Sequence, residues 1–131
     1  MKNGVMRVGE NSFDVEIAKS LLEKARGLAG RKTLEPNKGM LFEFAFQFIY
    51  PFTMRGTLIP LDIIWMDKKY QIVHIAKKCE PCKSPFSLLC PAIFSLKKAK
   101  YVLEINAGLC DKLGIKIGDT AILVIPSRNT E

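Results

Sequence analysis

The sequence holds one histidine and one tryptophan among 131 residues, and that scarcity narrows the possible chemistry. His74 stands alone, and no serine lies in a Gly-x-Ser-x-Gly elbow, so no nucleophile triad is readable. Gly27, Gly30 and Gly39 are too scattered for a phosphate-cradling loop. Long apolar runs are missing too. The most apolar tract, 39–66, is interrupted by Glu43, Arg55, Asp62, Pro51 and Pro60, whereas a membrane span needs about 20 uninterrupted apolar residues. The opening stretch "MKNGVMRVGENSFDVEIA" has no apolar core of the kind a secretory signal carries. There is no internal repeat and no linker. These absences predict one cytoplasmic domain over 1–131, its core spanning about 13–125 and residues 126–131 a frayed tail. They predict no membrane contact and no cofactor, and they assign no catalytic residue.

Acidic residues are almost absent from one region. Between Lys68 and Lys100 eight lysines face a single acid, Glu80, while the remaining 12 basic and 12 acidic residues cancel. The net charge of +7 is thus concentrated there. A basic surface of this kind attracts an acidic partner or nucleic acid, or it simply keeps strand ends soluble. Arginine is missing from the segment, and aromatics are not interleaved with its lysines, so a base-stacking surface is not indicated.

The patterning that is present reads as short strands. Phe13, Val15 and Ile17 alternate with Asp14 and Glu16 after the turn signal Gly9-Glu10-Asn11. Ser20 with Glu23 forms a capping box for a helix whose apolar stripe is Leu21, Leu22, Ala25, Leu28 and Ala29, ended by Gly30. "GMLFEFAF" (39–46) puts Met40, Phe42, Phe44 and Phe46 on one strand face. Leu61–Met66 is a buried strand, 100–105 another, and 120–125 the last; Asn106 is the expected cap of a helix ending near Leu113. The sum is an α+β domain with a mainly antiparallel, strongly curved or barrel-like sheet and two short helices.

Five ordered phrases, "RGLAGR" (26–31), "GMLFEF" (39–44), "TLIPLDIIWMD" (57–67), "YVLEINAG" (101–108) and "GIKIGD" (114–119), resemble the domain-of-unknown-function family 192, small proteins of bacteria and archaea. The resemblance implies a compact β-barrel-like α+β fold and no established activity. It departs from the family where an aromatic-Trp-Met-basic-Asn-Thr phrase is usual. Here Thr53 stands for the Trp and Gly56 for the Asn, so a binding site shaped by those side chains would be altered. Many bacterial relatives look secreted, unlike this chain.

Polar residues inside apolar motifs are the candidate site. An ionised carboxylate is costly to bury without partners, so Asp62 must be paired, hydrogen-bonded or exposed. Arg55 is the expected partner, through a guanidinium fork. Arg26 and Arg31 are further candidates from the motif pattern. The reading is a non-catalytic pocket for a small anionic or polar ligand, formed by Arg26, Arg31, Met54, Arg55, Thr57 and Asp62 with Glu104 and Asn106 nearby. Phe52 and Met54 would be its apolar wall. The alternatives are an acid/base enzyme using Asp62 and Glu104, and a basic binding module. Glu104 fits a solvated strand face equally well, and His74 reads as structural. Cys79, Cys82 and Cys90 are weak metal-ligand candidates, since only one C-x-x-C knuckle exists. Free thiols and a disulfide stay open. Relatives often carry Cys and Pro in this loop, and that implies Cys82 and Cys90 as the functional or bridged pair.

Overall fold

A computed structural model describes residues 1–126; the expected tail beyond them lies outside the described residues. Seven strands are laid down as β1 (Lys2–Val8), β2 (Asn11–Ala18), β3 (Lys38–Phe48), β4 (Leu61–Met66), β5 (Ile72–Cys79), β6 (Ala99–Asn106) and β7 (Ala121–Val124). Two short helices, α1 (Leu21–Arg26) and α2 (Leu109–Leu113), and a 3-10 turn at Ser87–Leu89 complete the chain. The sheet runs β5-β4-β6-β3-β2-β1-β7. Every neighbouring pair is antiparallel except β2–β3, whose crossover contains α1. The expected α+β class and curled antiparallel sheet are therefore present, as a half-barrel. Gln71 bridges Thr120, so the two edge strands meet at one corner.

Side-chain alternation divides the interior in two. The inner cluster draws on all seven strands, among them Met6, Phe13, Leu41, Ile64, Ile72, Leu103 and Ala121. The outer cluster lies on the opposite face of the central strands, with Phe42, Ile63, Trp65 and Val102, and is covered by Leu28 and Met54 from loops. Both faces of β4 and β6 are thus covered, and all six β4 residues are buried. A fully buried side chain of this size contributes about 1.5–3 kcal/mol. His74 packs against the Trp65 ring at 5.3 Å between centroids, and burial lowers its pKa.

Three local expectations are corrected. The capping box at Ser20 forms, but the helix ends at Gly27, not Gly30. Its Leu21 and Leu22 are 85% and 84% exposed, so they form no buried stripe. Six residues are too few for a continuous core face, and Leu28 in the exit turn does the packing. On β3 the aromatic face turns outward toward its end, leaving Phe46 77% exposed. Asn106 does not cap α2. Gly108, at φ 91°, holds that position without a side-chain cap, and Asn106 donates from Nδ2 to the Leu34 carbonyl instead.

Gly39 has a packing reason. A Cβ there would lie 2.6 Å from the Glu104 carbonyl, so β3 and β6 approach closely only with glycine at this position.

Candidate functional site

Asp62 is completely buried, and its partners are backbone amides rather than arginines. Its Oδ1 accepts from Lys78 N at 2.9 Å and Gly108 N at 3.1 Å, and its Oδ2 from Cys110 N at 2.9 Å. The local structure explains all three. The β4–β5 register shifts between Leu61 and Ile63, which bulges residues 77 and 78 opposite Asp62. Lys78, at φ 52°, then turns its amide toward the carboxylate. The first turn of α2 lacks a side-chain cap of its own, and Asp62 supplies it from another element. The expected Arg55–Asp62 fork is not formed. Arg55 is in an exposed turn and donates from its guanidinium to the Pro85 carbonyl at 2.8 Å.

Asp62 and Glu104 are on opposite faces of the sheet, which also corrects their expected acid/base pairing. Asp62 pairs in register with Ile105, on the inner face, and Glu104 with Ile63, on the outer. Glu104 is not on a solvated face: it is 5% exposed, and burial alone pushes its pKa up to about 8. No hydrogen bond or ion pair engages its carboxyl among the described residues.

Arg31 is committed elsewhere. Its guanidinium forks onto Glu16 with contacts of 2.6 and 2.8 Å, an arrangement that lowers the Glu16 pKa and raises that of Arg31. Met54 is buried in the outer cluster, and Asn106 ties β6 to the segment at Leu34.

What does converge is a groove of about 340 Å³ between α1 and the 50–57 segment. It brings together four of the eight expected residues: Arg26, Arg55, Thr57 and Glu104. Arg26 and Arg55 are exposed at its edge, while Thr57 and Glu104 are buried. Phe42, Phe44 and Phe52 give it aromatic walls, with edge-to-face pairs at 5.0 and 6.3 Å between centroids. Tyr50 stacks on Phe44 at 3.6 Å, and the Lys24 ammonium lies over the same ring at 4.3 Å. One glycine shapes the lining, and two more tie the turn beside it. Gly27, at φ 50°, passes so near Phe42 that a Cβ would meet the ring at 3.3 Å, and the Gly56 carbonyl accepts from Gly30 N at 2.9 Å. Phe42, Phe44 and Lys24 were not among the expected site residues, although the Met40-Phe42-Phe44 alternation already put both rings on one face.

Cys82 and Cys90 form a disulfide, which leaves Cys79 and Cys110 as free thiols. The weak metal candidates Cys79, Cys82 and Cys90 are therefore not a three-thiol set in this state, and no metal-ligand cluster occurs among the described residues. Burial raises the pKa of both free thiols.

The fold and the groove together define a half-barrel α+β domain with a cationic-edged, aromatic-walled cleft. The family model DUF192, "Uncharacterized ACR", matches residues 4–123, and the chain belongs to that family. A protein of unknown function from Novosphingobium aromaticivorans has the same fold, with TM-score 0.82 and 33% identity over 91% of this chain and 83% of that one. A "putative transcription regulator" from Sinorhizobium meliloti is similar at TM-score 0.82 and 26% identity, covering 93% and 92%. No curated protein matches the chain.

Proposed function

We propose that the groove binds a small anionic ligand with a flat apolar body and a neutral polar group at its inner end. The observation that carries this reading is Glu104. A carboxyl only 5% exposed, engaged by no hydrogen bond or ion pair among the described residues, opens into a groove whose edge carries Arg26 and Arg55. Such a group costs stability and is retained where a ligand uses it. At neutral pH it is largely protonated, so it offers an O–H donor without repelling an anion. The guanidiniums take the anionic end, in the fork geometry suited to carboxylate, sulfonate or phosphate. The phenyl walls take a ring-sized body.

Acid/base catalysis is less well supported, since no second carboxylate and no histidine lines the groove. No described helix is long and apolar enough to cross a membrane. The Cys82–Cys90 disulfide weighs against the expected reducing cytoplasm, where such bonds are uncommon.

The test is titration with a benzenesulfonate bearing a para-hydroxymethyl group, followed by amide NMR. Shifts centred on Gly27, Arg55 and Glu104, with affinity lost about tenfold in Arg26→Ala and in Arg55→Ala, are the expected outcome. An unperturbed groove at millimolar probe would refute the reading.

A further inference from the structure

A second surface, beyond the Tyr50 end of the groove, is formed where three segments end together. The Phe52 and Ile93 backbones exchange hydrogen bonds at 2.9 and 2.7 Å, so the chain after Ile93 runs back along the end of β3. Phe48 pairs with Ala99, and the Gln47 side chain accepts from Lys68 N at 3.0 Å, which ties in the β4–β5 turn. Large apolar side chains project from this end: Phe46 at 77% exposure, Phe48 at 60%, Phe94 at 54% and Leu96 at 80%. Around them lie Lys68, Lys69, Lys97, Lys98 and Lys100, none in an ion pair among the described residues. Lys77, by contrast, is paired with Asp111 at 2.7 Å, at the other end of β5. The basic stretch read from the sequence is thus split by the topology: Lys77, Lys78 and Lys83 lie elsewhere, and the other five lysines surround exposed aromatic and aliphatic groups.

We infer, against the expectation of no membrane contact read from the sequence, that this tip docks onto an anionic lipid bilayer surface. Apolar side chains enter the boundary between headgroups and acyl chains, while long lysine stems keep their ammoniums among the headgroup charges. Composition favours lipid over a protein partner, because protein interfaces enrich arginine and deplete lysine, and here all five cations are lysine. A second copy of the chain is disfavoured by repulsion between two basic rims.

The test is flotation of the full chain with vesicles of phosphatidylcholine alone or mixed with phosphatidylglycerol. The expected result is co-flotation with the mixed vesicles only, weakened by added salt. Phe48→Ser with Leu96→Ser should reduce binding at least tenfold, and Lys97→Gln with Lys98→Gln about fivefold per charge. All four positions are exposed. Phe48→Ser also removes an edge-to-face contact with Tyr50 at 5.6 Å, so thermal melts of each variant, and Leu96→Ser alone, distinguish a fold defect from lost docking. Equal binding to both vesicle types, no binding to either, or binding indifferent to the apolar pair would overturn the inference. So would retention of an oligonucleotide or an acidic protein by these residues without vesicle binding.

Discussion

The Oδ2 atom of Asp62 accepts the Cys110 amide at 2.9 Å across a sequence separation of 48 residues, so a β4 side chain caps a helix that follows β6. Two further amides converge on the same carboxylate. Asp62→Ala leaves three donors unmet, one of them fully buried and two half-buried, and should lower unfolding free energy by about 3 kcal/mol. Asp62→Asn keeps one acceptor oxygen and should lose less. Urea denaturation of both variants checks the order, and neither change should perturb the groove.

Glu104 gives the protein a pH-dependent stability of unusual sign for a carboxyl. Its folded pKa of about 8 lies above the ordinary 4.5, so the native state holds a proton that the unfolded chain releases. The stability that Glu104 contributes is therefore fully present below about pH 4.5, falls as pH rises through that window, and is gone above about 8. The change is on the order of 5 kcal/mol across the window. Denaturation midpoints between pH 5 and 9 should show this slope in the native sequence and little of it in Glu104→Gln.

Gly39→Ala places a Cβ against a backbone carbonyl that cannot rotate away. The β3–β6 ladder must shift, and a loss of about 2 kcal/mol is expected in the same denaturation assay.

Reducing the Cys82–Cys90 bond opens a loop whose cysteines are eight positions apart, and the loop-entropy relation gives a loss of about 2.5 kcal/mol. The loop also carries the Pro85 carbonyl that orients Arg55. Dithiothreitol should therefore lower the melting temperature and weaken probe binding in the groove together.

Local signals were legible in the sequence, and long-range partners were not. The Phe13-Val15-Ile17 alternation and the Ser20–Glu23 box each involve residues a few positions apart, and both form. Asp62 was recognisable as a carboxylate needing partners, but its donors come from residues 78, 108 and 110, beyond the reach of spacing arguments. Arg55 was the nearest arginine in the chain, and chain distance misled. Glu104 looked like the wet face of a strand because Leu103 and Ile105 alternate with it. Val102 shares its face, however, and the run Tyr101-Val102-Leu103 already marks a strand covered on both sides.

The most direct test of the groove reading is a carbon-detected NMR titration of the Glu104 carboxyl, alone and with the para-hydroxymethyl benzenesulfonate. The probe keeps a fixed charge, so only the protein titrates. A midpoint near 8 that rises when the probe is added is predicted. A midpoint in the ordinary carboxylate range, or one that ignores the probe, would contradict it.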